Sequence, residues 1–142
     1  MTPAENKELV KRFYDLVWVQ QDVKTAESII APDCVRHDPS GPVPTGPAGF
    51  AAMAQKWRAA FSDFTLTVDV ALAENDLVAA RWTIVAKHTG PFAARPGSGN
   101  PVRFSGVNIF RLEGGRIAEI WNHRDDLSLY QQIGAMPPLP TQ

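Results

Sequence analysis

A single cysteine in 142 residues excludes an internal disulfide, and Cys34 cannot hold a structural zinc without several other ligands. It reads as a small buried hydrophobe. Charge of one sign is missing as well: the formal net charge is −1, with no basic stripe and no acidic tail. That leaves no electrostatic footprint for nucleic acid and no acidic arm for a basic partner. No apolar run is long enough to span a bilayer. The start MTPAENKELV has no apolar stretch of the kind a secretory leader needs, so a cytoplasmic protein is expected. There are no internal repeats.

What remains is the composition of an ordinary globule, 44% hydrophobic and 20% charged, at a length that suits one domain with one core. Ten of the 12 prolines gather in three places: 39–47, 91–101 and the tail 137–140. They read as loops and a proline-rich terminus over 135–142, within a single domain spanning 1–142. Thr2, Pro3 and Glu5 form a helix start with a capping box. Leu9, Phe13, Leu16 and Val17 follow at helical spacing. A second short helix after Asp22 carries Ala26, Ile29 and Ile30 on one side. The stretch DCVRHDP is a short extended piece stopped by Pro39. Thr45 or Gly46 opens a third helix, with Phe50, Met53, Ala54, Trp57 and Phe61 on one face.

After Ser62 the hydrophobic period falls from 3.6 to 2. Four strands are expected: 64–73, 77–88, 102–112 and 116 to about 124. A turn lies at Asn75-Asp76 and a three-residue loop at Glu113-Gly114-Gly115. A last helical turn over 127–133 is capped by Asp125 or Asp126. Helices followed by a run of strands give an α+β protein: a curved antiparallel sheet of four main strands wrapped around N-terminal helices, with an open mouth.

Side chains two apart on a strand share a face. Even numbers form the inner, apolar face: Phe64 to Leu72, then Val78, Trp82, Ile84 and Ala86, then Val102, Phe104, Phe110 and Leu112, then Ala118 and Ile120. Three polar residues fall on that face, His88, Asn108 and Asn122. The two asparagines should lie near each other as a diagonal pair. A buried amide without partners costs about 1–3 kcal/mol, so each must meet a side chain, water in a cavity, or a ligand. His37, beside Asp38, is a candidate for proton transfer near neutral pH, or a turn residue. Asp125 and Asp126 read either as paired carboxylates or as helix caps. The outer face carries Val85, Val107, Ile109, Ile117 and Trp121, an apolar stripe that suggests a homodimer.

Three stretches, VAARWTIVAKHTGPF, GNPVRFSGVNIFRLEGGRIAEIW and DDLSLYQQIG, together resemble the SnoaL-like polyketide cyclases, also called ester cyclases. These belong to the ketosteroid-isomerase-like, nuclear-transport-factor-like cone folds. The likeness runs from the first helix to QQIG. It implies a helix-lined cone, commonly dimeric, and intramolecular aldol chemistry on a polyketide ester without metal or organic cofactor. It also implies an aspartate acting as general acid/base on the last strand near the tryptophan. That position is either Asn122, which cannot shuttle a proton but can donate a hydrogen bond to an oxyanion, or Asp125.

The expectation is therefore a small-molecule lyase or isomerase acting by acid/base chemistry on an apolar carbonyl compound. Asp125, His37 or His88 would move the proton. Asn108 and Asn122 would bind an oxygen, and Trp82, Trp57, Phe104 and Phe110 would wall the cavity. The alternatives are a noncatalytic ligand-binding module or sensor, and an epoxide hydrolase or dehydratase on the same scaffold. An epoxide hydrolase would need an inner Asp–Arg–Asp arrangement to activate water, and by parity no inner strand position before Arg124 offers an aspartate.

Overall fold

The fold was read from a computed structural model that describes residues 1–38 and 41–140. Pro39, expected to stop the extended piece, lies outside the described residues. Helix α1 (Pro3–Arg12) starts as its sequence dictates. The Glu5 N–H donates to Thr2 Oγ1 (3.1 Å), and the Thr2 N–H donates back to the Glu5 carboxylate (2.8 Å). It runs on without a break as a π-helical segment (Phe13–Val19), where hydrogen bonds reach five residues back, as from Gln20 N to Asp15 O. Helix α2 (Val23–Ile29) is capped by Asp22, and α3 (Pro47–Ala60) follows Gly46 with Pro47 at its first position.

Six strands form one sheet in the order β2-β1-β6-β5-β4-β3. They are β1 (Ile30–Asp38), β2 (Gly41–Pro44), β3 (Phe61–Glu74), β4 (Leu77–His88), β5 (Pro101–Glu113) and β6 (Arg116–Arg124); α4 (Asp126–Gln132) closes the chain. The class is α+β, a curved sheet wrapped around α1, its π-helical extension and α3. The sheet has two strands more than expected. Residues 33–38 of the DCVRHDP stretch are not a lone extended piece but most of β1, which pairs parallel to β6 (Arg36 with Ile120, His37 with Trp121) and antiparallel to β2. A period of two was hidden there because the strand is short and half polar.

The even-inward parity holds along β4 and β5, where Val78, Trp82, Ile84, Ala86, Val102, Phe104, Phe110 and Leu112 are buried. It fails in two places, each at a bulge. In β3, Asp69 is an extra residue between the Val68–Trp82 and Val70–Arg81 pairs. Beyond it the faces swap, so Val70 and Leu72 point to solvent and Ala71 and Ala73 turn inward. Asp69 is held outside the sheet by Thr83 Oγ1 (2.6 Å) and Arg81 (2.5 Å). In β6, Ala118 is the extra residue, and Ile117, expected on the outer face, is fully buried in the core.

The turn between β5 and β6 is also shorter than expected. Glu113 pairs with Arg116, which leaves a two-residue loop of Gly114 (φ 59°) and Gly115 (φ 75°). Both positions need the left-handed region, which glycine enters at no steric cost. The short turn and the Ala118 bulge each shift the register by one in the same direction, so even numbers still pair with even numbers but the pairing moves by two residues. Asn108 and Asn122 are therefore directly opposite, not diagonal.

The core lies between the sheet's inner face and the helices. Phe13 meets Phe50 and Phe110 edge to face at 5.6 and 5.5 Å, and Tyr14 meets Phe110 at 5.8 Å, an arrangement favoured by ring quadrupoles. Among the described residues no helix is long and apolar enough to cross a membrane.

Candidate functional site

The helices do not fill the cone. Between the π-helical segment, α3 and the inner faces of β1 and β3–β6 lies a narrow cavity, in which about 50 Å³ is open to the centre of a water-sized sphere. Its wall is mostly apolar: Phe13, Phe50, Leu66, Ile84, Phe104 and Ile120, with three indoles, Trp18, Trp57 and Trp82. Trp82 is held in place by the absence of a side chain opposite. It pairs across strands with Gly106, and a Cβ there would stand 2.4 Å from Trp82 Cζ2.

Few polar groups face this cavity, and each is traceable to its backbone position. Asn108 Oδ1 accepts from the Trp82 indole N–H at 3.0 Å, which leaves the Asn108 amide N–H groups for something else. Asn122 stands opposite on β6 and lines the cavity too, with no side-chain hydrogen bond among the described residues. Tyr14 is 2% exposed, and its hydroxyl has no partner among the described residues. Burial pushes its phenol well above the ordinary range, so it stays a neutral donor.

The cavity adjoins a second, outer hollow, and the residues common to both form a throat between them. Arg36, Met53, Trp57, Asn122 and Arg124 line both the cavity and a vestibule beyond it, whose other walls include Asp38, Lys56, Phe92, His123 and Asp126. Arg36 is tied to Asp38 at 2.9 Å, and its N–H also reaches the Met53 sulfur at 3.2 Å. Its buried Nε has no partner among the described residues. Arg124 donates from Nε to Asp126 and lies over the Trp57 ring, 4.5 Å from the centroid. Two arginine–aspartate pairs thus flank Asn122 at the throat.

Of the residues singled out in the sequence, Asn108, Asn122, Trp82, Trp57 and Phe104 line the cavity together. Phe110 stands behind its wall, fully buried against Phe13 and Tyr14. The three expected proton carriers lie elsewhere. His37 is on the outer face of β1, 2.6 Å from Glu119 Oε2 and stacked on Trp121 (centroids 5.1 Å apart). Its hydrogen bond, with a second from Arg111 at 3.0 Å, holds the Glu119 carboxyl below its ordinary value. His88 does project inward and is fully buried, but it serves the 89–100 loop: its Nδ1 accepts the Ser98 N–H at 3.1 Å. Asp125 caps α4, accepting from the Ser128 N–H at 3.1 Å. Among the described residues no group of three or more His, Cys, Asp or Glu is placed to hold a metal ion.

Sequence reasoning missed Tyr14, Arg36 and Arg124; of the vestibule carboxylates it noted Asp38 only as the neighbour of His37 and Asp126 only as the partner of Asp125. Tyr14 was available, since Val10, Tyr14 and Val17 form a stripe at i, i+4, i+7 beside the one that was noted. Arg36 and Arg124 carry even numbers. The parity that placed Asn122 inward reaches both, once DCVRHDP is seen as a strand beside β6.

A family model described as SnoaL-like polyketide cyclase matches residues 8–133. Among solved structures, TsrD from Streptomyces laurentii superposes with a TM-score of 0.85 at 27% identity, covering 96% of this chain and 99% of that one. AclR from Streptomyces galilaeus, described as "a putative hydroxylase", gives 0.85 at 27% identity over 99% of this chain and 87% of its own. IdmH from Streptomyces antibioticus, described as "a putative polyketide cyclase", gives 0.77 at 29% identity over 91% and 98%. No curated protein sequence matches significantly.

Proposed function

We propose that this chain, which belongs to the SnoaL-like polyketide cyclase family, is a small-molecule enzyme that performs acid/base chemistry on an apolar carbonyl compound held in the cone. The observation that supports this most is the Tyr14 hydroxyl, a neutral buried donor without a protein partner on the wall of an apolar cavity. Such a donor suits a carbonyl oxygen that gains charge as an enolate forms, and Asn108 and Asn122 have amide N–H groups to add.

The base in this reading comes from the vestibule just outside the throat, where Asp38 lies beside Arg36. Asp38 takes a proton from the carbon next to the substrate carbonyl. The electron pair moves onto the oxygen that Tyr14 and the amides bind. The enolate carbon then attacks a second carbonyl of the same molecule, whose π pair becomes an alkoxide that takes the proton back from Asp38 as the ring closes; return of that proton to another carbon gives an isomer instead. General base assistance is worth about 10²–10⁴-fold, and one oxyanion donor about 10²–10³-fold. IdmH, described as "a putative polyketide cyclase", makes ring closure the first reaction to try.

The test does not require the product to be identified. Aromatic β-dicarbonyl compounds are incubated with the protein in D₂O, and deuterium uptake at the α carbon is followed. Uptake should fall about 100-fold in Tyr14→Phe and at least as far in Asp38→Asn. Rates equal to wild type in both variants would refute the reading.

One observation favours a second reading, a noncatalytic binder: the innermost lining holds no carboxylate or imidazole among the described residues. A compound that binds tightly, takes up no deuterium and is recovered unaltered would establish it. The hydrating alternative requires carboxylates beside an arginine, and both such pairs stand at the throat. A product heavier than its substrate by one water would identify it.

A further inference from the structure

The throat joins two chemically unlike chambers. Inside are aromatic and aliphatic walls; outside are three cations, Arg36, Lys56 and Arg124, against two carboxylates, Asp38 and Asp126. Counting the lysine, arginine and carboxylate side chains alone, the vestibule carries one uncompensated positive charge. A ligand group that lodges there and is an anion makes the site neutral, whereas an ammonium would leave two charges of the same sign in a partly desolvated chamber.

The donors are arranged for an anion as well. Arg124 uses Nε on Asp126, and no acceptor among the described residues engages its terminal nitrogens. Its guanidinium is held by Asp126 on one side and sits over the Trp57 ring, which leaves the other edge of the fork free, and such an edge matches a carboxylate with two parallel hydrogen bonds. Arg36 also keeps donors in reserve: Nη2 pairs with Asp38, but Nε is buried without a partner among the described residues and Nη1 meets only the Met53 sulfur. A buried N–H without an acceptor, and a second with only a thioether, are poorly satisfied. The unpartnered Asn122 amide completes the ring between them.

We infer that the throat formed by Arg36, Asn122 and Arg124 is a carboxylate-binding collar, and that the protein selects ligands with an apolar, aromatic-sized body carrying an anionic oxygen group at one end. The body fills the inner cavity among Trp82, Phe104 and Phe50. The carboxylate stops at the collar with its charge shared by the two guanidiniums. This rests on the reading of the cavity as the substrate site and adds the class of molecule it takes. It also fixes orientation, because the charged end cannot pass the throat without leaving its partners.

The experiment compares 2-naphthoate with 2-naphthamide, which have the same shape but differ in charge, by calorimetric titration of the wild-type protein and by quenching of tryptophan fluorescence. The acid should bind about 10- to 100-fold more tightly than the amide, the range for hydrogen bonds to a charged group. Rising salt should reduce that ratio. In Arg124→Gln and Arg36→Gln the ratio should collapse towards one, with the amide's affinity little changed. In Asp126→Asn, where a competing acceptor is removed, acid binding should tighten.

Equal or weaker binding of the acid by wild type would overturn the inference without recourse to any variant, and so would a ratio that survives both arginine substitutions. A preference for the acid, with no α-deuteration of any carbonyl compound, would keep the collar and remove the proposed chemistry. α-Deuteration without that preference would do the reverse.

Discussion

Replacing Tyr14 by Phe should make the free protein more stable and the liganded protein less so. The ring keeps its edge-to-face contacts, with Phe13 at 5.3 Å and Phe110 at 5.8 Å, and only the hydroxyl is lost. That hydroxyl is buried without a protein partner, and an unsatisfied buried polar group costs about 1–3 kcal/mol. Water reaching the cavity would recover part of this, so a gain of about 1 kcal/mol is expected, a rise in Tm of about 2–4 °C for a domain of this size. Urea unfolding should show a higher midpoint at unchanged slope, because the surface exposed on unfolding barely changes. Affinity for a carbonyl ligand should move the other way, falling about 10-fold with loss of one hydrogen bond. A destabilisation of 1 kcal/mol or more would show that the hydroxyl is bonded within the fold and not aimed at a ligand, and the site argument would fail with it.

Gly106→Ala should cost about 1–3 kcal/mol and weaken ligand binding together, since its Cβ would collide with Trp82 and with the His123 carbonyl oxygen at 2.6 Å; thermal melts and naphthoate titrations check both. Two copies are expected to pair through the outer sheet face, where Val85 and Val107 are 40% and Ile109 is 37% exposed. Sedimentation of Ile109→Lys should then give a monomer from a wild-type dimer, and a monomeric wild type at micromolar concentration would contradict the pairing. Glu119 is held below its ordinary carboxyl value by His37 first and Arg111 second, so its stabilising contribution is complete above its unfolded value of about 4.3 and is lost as pH falls through the lower folded value. Wild type should therefore exceed Glu119→Gln in stability at pH 6 by no more than about 1 kcal/mol, both partners being near solvent, and the curves should converge in acid; a gap that persists at pH 2 would contradict the assignment.

The sequence made the strands of the cone legible because Val, Ile, Phe and Trp alternate with polar residues along 77–88 and 102–112, and one parity ran through all four expected strands. That parity located Asn108, Asn122, Trp82 and Phe104 on the cavity wall. It went astray where one residue was inserted without any mark in the pattern. Asp69 looks like an ordinary outward position, and Ala118 is small enough to fit either face, so neither bulge announces itself. The parallel pairing of β1 with β6 joins residues more than eighty positions apart, which no local period encodes.

Chemistry was harder to read than architecture. His37, His88 and Asp125 were chosen for residue type, but each has local partners that use it: Glu119, Ser98 and the first turn of α4. The groups that reach the throat, Arg36 and Arg124, resemble ordinary surface arginines when the strand carrying the first is not recognised. The two short arginine–aspartate steps, 36 to 38 and 124 to 126, acquire meaning only when β1 and β6 lie side by side.

The claim on which the rest depends is that the inner face of the sheet binds ligand and the outer face does not, and the four tryptophans report on it separately. Trp18, Trp57 and Trp82 line the cavity, whereas Trp121 is stacked on His37 outside. In a ¹H–¹⁵N correlation spectrum of the labelled protein, assigned by single Trp→Phe variants, 2-naphthoate should shift the three cavity indole N–H signals, Trp82 most of all through its bond to Asn108, and leave Trp121 in place. A shifted Trp121 with the other three unmoved would contradict the account.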